Sequence, residues 1–102
     1  MHVVQLFLPL RDHRGQPFDA ALFATVRAEL TEAFGGVTAY QRAPAVGLWE
    51  DDDGDVQRDD VLLFEAMAAQ LDHGWWQRYR DTLAERFSQD EVLVRAWPCE
   101  RL

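Results

Sequence analysis

The sequence has no lysine, no isoleucine and no asparagine, and its one cysteine is Cys99. All three missing residue types are encoded by AT-rich codons, so a GC-rich bacterial genome is the simplest account of their absence. A single cysteine excludes an internal disulfide and, with it, the class of small secreted scaffolds that disulfides hold together. A reducing cytoplasm fits this composition, and the expected localisation is therefore cytoplasmic.

Long apolar runs and basic charge are also scarce. The apolar stretch over residues 3–10 is far shorter than a membrane span, and charged residues follow it with no small-residue cleavage site. We therefore expect neither a membrane helix nor a signal peptide. Ten basic residues, all arginine, face eighteen acidic ones and give a net charge of −8. This balance argues against nucleic acid as a partner, and the lack of a long apolar run argues against a membrane.

The residues that are present suffice for one folded domain. Hydrophobic residues make up 48% of the 102 positions and aromatic residues 12%, which argues against disorder. A chain of this length buries roughly two-thirds of its unfolded surface, enough for one modest core. We expect a single domain over residues 1–102.

Apolar patterning predicts a βαββαβ order of elements. The two strongest strands cover residues 3–10 and 61–67, and weaker strands cover residues 37–42 and 91–97. One helix starts at Pro17 and ends at Gly35-Gly36, and a second is capped by Asp72 and reaches Phe87. Asp-Gly within residues 52–55 predicts a hairpin between the second and third strands.

An internal repeat supports this architecture. Arg27, Leu30, Glu32 and Phe34, followed by Arg42-Ala43, recur 53 positions later as Arg80, Leu83, Glu85 and Phe87, followed by Arg95-Ala96. Both copies span a helix-to-strand junction, so we interpret the chain as two βαβ units. Two such units in one sheet predict an α+β, ferredoxin-like fold. Its four-stranded antiparallel sheet has the order 4-1-3-2, with both helices on one face.

The element order, the size and the strong first strand resemble the dimeric α+β barrel superfamily. That group includes small antibiotic-biosynthesis-type monooxygenases and muconolactone-isomerase-like enzymes. The resemblance implies a homodimer, and for some members cofactor-independent oxygenase or isomerase chemistry. It covers the fold of the whole chain but no catalytic motif, and the histidine usual on that family's sheet face is not identifiable here.

Side-chain alternation separates a helix-covered face from an open one. Val4, Leu6 and Leu8, with their counterparts on the third and fourth strands, are expected beneath the helices. The candidate site residues fall on the other face: Gln5, Tyr40, Arg42, Glu65, Arg95 and Trp97. One interpretation is an ion-pair network of Glu65 with the two arginines, inside a homodimer interface. The other is a pocket for a small aromatic or anionic molecule, clamped by arginine.

Other chemistry-bearing residues are weaker candidates. The acidic run over residues 50–55 has Trp49 where a calcium-binding EF-hand loop needs its first aspartate, so a solvated hairpin tip is favoured. His2, His13 and His73 lie in separate elements and predict surface positions rather than a metal site. Cys99 has no evident activating neighbour. At least one of Trp75 and Trp76 continues the apolar stripe of its helix. We expect no metal and no cofactor.

Overall fold

The computed structural model describes residues 1–42 and 61–102, except for the side chains of Gln41 and Arg42. The predicted hairpin and acidic run lie outside these residues. The elements, in chain order, are β1 (His2–Pro9), α1 (Ala20–Phe34), β2 (Thr38–Arg42), β3 (Val61–Ala68), α2 (His73–Arg86) and β4 (Val94–Pro98). The strands form one antiparallel sheet in the order β2-β3-β1-β4. This is the predicted 4-1-3-2 arrangement, and the ferredoxin-like α+β fold is confirmed.

The helix ends follow their capping residues. Asp72 caps α2 as predicted, because its Oδ1 accepts a hydrogen bond from the Trp75 amide at 3.1 Å. Gly35 ends α1 in the left-handed conformation, with φ of 80°. The start of α1 was predicted too early. The helix begins at Ala20 rather than at Pro17, and Asp19 is its N-cap, since the Asp19 carboxylate accepts from the Ala21 amide at 2.9 Å.

Pro17 instead belongs to a short extended segment that pairs back on the chain. It forms an isolated antiparallel bridge with Arg11, and the Phe18 amide donates to the Leu10 carbonyl at 3.0 Å. The last strand is also shorter than predicted, starting at Val94 rather than at residue 91. Val92 is nevertheless buried, so the apolar pattern there marked a core position ahead of the regular strand.

The core lies between the helices and one face of the sheet. Val4, Leu6 and Leu8 of β1 alternate with partly exposed neighbours and are almost fully buried, as predicted. Leu30 and Leu83 occupy matching positions of the sequence repeat and are both fully buried. Among the described residues, no helix combines the length and apolar character needed to cross a membrane.

Aromatic rings fill the space between the two helices. Phe34 stacks on Trp76 with ring centroids 5.1 Å apart, and Trp75 stacks on Tyr79 at 4.9 Å. Trp76 is buried and Trp75 is half-buried. The expectation that at least one of the two tryptophans is a core residue is confirmed.

Candidate functional site

The face of the sheet away from the helices carries three polar side chains in one cross-strand line. Gln5 on β1 is directly opposite Glu65 on β3 and directly opposite Arg95 on β4. Directly opposite residues of antiparallel strands share a face of the sheet, which brings their side chains side by side. We call Arg95, Gln5 and Glu65 the polar row, and the sheet face that carries them the open face.

The polar row is joined by two hydrogen bonds. Gln5 Nε2 donates to Glu65 Oε1 at 2.9 Å, and Arg95 Nε donates to Gln5 Oε1 at 3.1 Å. A carboxylate can only accept and a guanidinium can only donate, so one orientation of the Gln5 amide satisfies both neighbours. Gln5 therefore connects a cation and an anion that lie two strands apart.

Arg95 also lies against aromatic rings of the open face. Its guanidinium carbon is 4.9 Å from the centre of the Phe7 ring and 6.0 Å from the centre of the Trp97 ring. At these distances the ring faces attract the cation. Nε is used toward Gln5, and Nη1 and Nη2 have no hydrogen-bond partner in the part of the chain that the structure describes.

Large apolar side chains surround the polar row and are open to solvent. Tyr40, Met67, Leu93 and Trp97 are 45%, 43%, 52% and 39% exposed. In the described part of the chain, the other large apolar residues exposed to this degree are Met1 and Leu102, at the chain ends. The exposed apolar surface away from the ends is thus concentrated on one face of the sheet.

The structure brings together four of the six predicted site residues. Gln5, Glu65 and Arg95 are linked directly, and Trp97 joins them through Arg95. Tyr40 lies farther out, on β2, where it pairs with Leu63 rather than with a member of the polar row.

The sixth residue, Arg42, pairs through its backbone with Val61, at the far end of β2. Its side chain lies outside the described residues, so its proposed ion pair with Glu65 stays a prediction. The residue of β2 opposite Glu65 is Thr38.

Sequence reasoning missed two features of this arrangement. The first is the role of Gln5 as the link between the charges, which its register position could have suggested. The second is a cluster in the helix layer, where Arg86 donates to both carboxylate oxygens of Glu29, at 2.5 and 3.0 Å, and the Tyr79 hydroxyl donates to the same carboxylate at 3.0 Å. No spacing signal predicts that cluster, since its members lie on different helices.

The helix-layer cluster shifts the titration of its members. The hydrogen bonds from Arg86, with a smaller contribution from Tyr79, hold the pKa of Glu29 below its ordinary value of 4.5. Burial and the nearby Glu29 charge raise the pKa of Tyr79. The hydrogen bonds to Glu29 raise the pKa of Arg86. All three groups therefore keep one charge state over the ordinary pH range, which is typical of a structural contact between helices.

The remaining candidates from the sequence lie apart from one another. His13 is exposed and its Nε2 bonds to the Ser88 carbonyl at 3.1 Å, and His73 is exposed at the start of α2. His2 lies at the start of β1 and is half-buried. The described residues contain no group of three or more histidine, cysteine, aspartate or glutamate side chains placed to hold a metal ion.

Comparison with known proteins adds a structural likeness. The sequence matches no protein-family model and no curated protein at significance. A phage SAM lyase, solved in complex with S-methyl-5'-thioadenosine, is similar in structure, with a TM-score of 0.56 and 16% sequence identity. The match covers 94% of this chain and 79% of the lyase chain. A likeness at this identity shows the ferredoxin-like fold alone.

Proposed function

We propose that this protein is a homodimer that forms through the open face, and that the polar row lies at the centre of the contact. The observation that carries the proposal is the concentration of exposed apolar side chains around three polar groups that bond to one another. A contiguous patch of exposed apolar surface is typical of protein–protein contacts. Aromatic residues, methionine and arginine, all present on this face, are the types enriched there.

A second copy is the occupant that this face fits best. The helices cover the other face, and no helix or strand in the described part of the chain covers the open face. A copy of the same face supplies both an apolar surface and a matching set of charges. If this association is found, it would favour placing the chain in the dimeric α+β barrel superfamily, which the fold alone leaves open.

Sedimentation analysis of a concentration series tests the dimer. The wild-type chain is expected to sediment as a dimer, and Met67→Glu as a protomer, because the substitution places an unpaired charge within the apolar surface beside the polar row. Ala28→Glu is the matched control, since it adds the same carboxylate at an exposed position of α1. A wild-type protomer at every concentration, or equal behaviour of the two variants, contradicts the proposal.

A small-molecule site on the same face is the second candidate function. The specific observation that favours it is Arg95, whose Nη groups are unpartnered among the described residues while its guanidinium lies over two rings. A planar anion could bond to these donors and pack on Trp97. Together with Gln5, Tyr40, Arg42 and Glu65, this would make a binding module for an aromatic or anionic metabolite. With Glu65 as acid or base, it would make a cofactor-independent oxygenase or isomerase.

A thermal-shift experiment separates this candidate from a purely structural interface. The probes are benzoate, uncharged benzyl alcohol, and the two compounds named for the structural neighbour, SAM and S-methyl-5'-thioadenosine. Benzoate is expected to raise the melting temperature of the wild type and of Arg27→Ala, an exposed-arginine control on α1, but not that of Arg95→Ala. Equal shifts in all three proteins, or shifts with benzyl alcohol alone, contradict an arginine-clamped site. Product formation from a bound compound would favour the enzyme.

A further inference from the structure

The two ends of the polar row carry opposite charges. Its cation is on β4, its amide is on the neighbouring β1, and its anion is on β3. Strands are spaced about 4.8 Å apart, so the two charges lie about 10 Å apart on either side of β1. At the height of the polar row, the open face is therefore positive on the β4 side of β1 and negative on the β3 side.

A second copy can cover this face with its strands aligned in two ways. If the two-fold axis runs parallel to β1 and passes over Gln5, the two sides of β1 are exchanged, and each positive side faces a negative side. If the axis runs across the strands, each side of β1 faces the same side in the partner subunit, so each charge faces the identical charge. Aligned sheets cross at about 30°, so the axis in the first arrangement lies about 15° from β1.

We propose that the dimer uses the first arrangement, in which Arg95 of each protomer bonds to Glu65 of the partner subunit. This inference rests on the proposed function, because it assumes that the open face is the interface. It adds the orientation of the two copies and the residue that each contributes to the other. The interface then contains two identical ion pairs, as a two-fold contact requires.

The groups needed for these pairs are available. Arg95 uses Nε within its own protomer, which leaves Nη1 and Nη2 for the partner. Glu65 uses Oε1 to accept from Gln5, and Oε2 has no partner among the described side chains, which do not include that of Arg42. Facing sheets lie about 10 Å apart, a gap that an arginine and a glutamate span together. Gln5 would hold both charges in place before association.

The apolar side chains agree with this orientation. Trp97 and Met67 lie on opposite sides of Val3, so each tryptophan would meet a methionine, a favourable contact of sulfur with an aromatic ring. The second arrangement would also bring apolar groups together, so these contacts do not choose between the two. The charges distinguish the two arrangements. The second arrangement places two arginines against each other and two carboxylates against each other in a contact that excludes water.

Charge reversal tests the orientation. Glu65→Arg alone and Arg95→Glu alone are each expected to weaken self-association at least 100-fold, because like charges then meet twice. An equal mixture of the two variants is expected to form a heterodimer within about tenfold of the wild-type affinity. The double variant is expected to dimerise like the wild type, since the Gln5 amide can turn over to bond a reversed row. Sedimentation measures association, and thermal unfolding of diluted samples checks that each protomer is folded.

The contrary results are distinct. If the axis runs across the strands, each single reversal leaves association unchanged, and the mixture binds more tightly than the wild type. If the rows do not face each other, all four proteins associate alike. Either result overturns the orientation while the wild-type dimer and its loss in Met67→Glu still support the proposed function. A wild-type chain that never dimerises overturns the proposed function itself.

Discussion

The two faces of the sheet use the same strands for opposite purposes. On the helix side, Leu6 and Phe64 are fully buried against α1 and α2. On the open side, their neighbours Gln5 and Glu65 are partly exposed and bond to each other. Alternation along one strand thus makes a buried core on one face and a partly exposed surface on the other.

Charge is also placed differently on the two sides. In the helix layer, Glu29 and Arg86 form a bidentate pair with each other, so the charges are compensated within the protomer. On the open face, Arg95 and Glu65 are held apart by Gln5. Paired charges hold elements of one chain together, whereas separated charges remain available to a partner.

Truncating one leucine on each side of the sheet, Leu83 of α2 and Leu93 of the open face, should give the largest contrast in stability. Leu83 is fully buried and Leu93 is 52% exposed. Leu83→Ala leaves a cavity and should lower the free energy of unfolding by about 2–5 kcal/mol, while Leu93→Ala should change it by less than about 0.5 kcal/mol. Urea unfolding at a dilution where the chain is a protomer measures both. Equal losses would show that the open face is already part of the protomer core.

Substituting one tryptophan on the open face and one in the helix layer compares the two sides of the sheet in their effect on dimer affinity. Trp97→Ala should weaken the dimer about 10- to 100-fold and leave protomer unfolding unchanged, because large aromatic residues dominate interfaces. Trp75→Ala should destabilise the protomer and leave the affinity of the dimer unchanged, since Trp75 packs on Phe34 and Tyr79 in the helix layer. Sedimentation and urea unfolding of both variants are the measurements. A dimer weakened by Trp75→Ala and not by Trp97→Ala would place the interface elsewhere.

Removing the Glu29 charge should have a smaller effect on the helix layer. Glu29→Gln is expected to lower protomer stability by about 1 kcal/mol at neutral pH, because Arg86 loses a bidentate partner. The carboxylate side chain is 37% exposed, so solvent screening limits the loss. Glu32→Gln, at an exposed position of α1, is the control and should be nearly neutral.

The contribution of Glu29 should also depend on pH in a set direction. The folded state lowers the pKa of Glu29, so it favours the ionised form. The stabilisation is then complete above the ordinary carboxyl pKa of 4.5 and is lost as the pH falls through the lower, folded-state pKa. Wild type and Glu29→Gln should therefore converge in stability on acidification. A difference that persists at the lowest pH would rule out the ionised pair as its source.

The sequence predicted the element order, the strand order and which residues face the helices. These features follow from local periodicity, which repeats every two residues in β1 and every 3.6 in α1 and α2, and from the rule of right-handed crossovers. Element ends were less accurate. Pro17 is compatible with a helix start, but a competing backbone bridge with Arg11 placed the cap at Asp19.

The links within the candidate site needed the register. Gln5 is 60 residues from Glu65 and 90 from Arg95, so no local pattern relates them. The sequence indicated that Glu65 needed a partner, and opposite charge favoured the arginines over an amide. Register decides this, because it places Gln5 between the two charges and leaves Thr38 as the β2 neighbour of Glu65.

Breaking the link at Gln5 should have a small effect on the stability of the protomer and a larger one on the affinity of the dimer. Gln5→Met keeps the length of the side chain but removes the acceptor for Arg95 and the donor for Glu65. In the protomer water can replace both bonds, so the loss in unfolding free energy should stay below about 1 kcal/mol. In the dimer the charges would have to be oriented on association, so affinity should fall about tenfold.

Gln5→Glu is the sharper variant, because it keeps the acceptor for Arg95 and sets two carboxylates side by side. If sedimentation shows both variants dimerising like the wild type, the polar row does not contribute to association, and the apolar side chains alone hold the copies together.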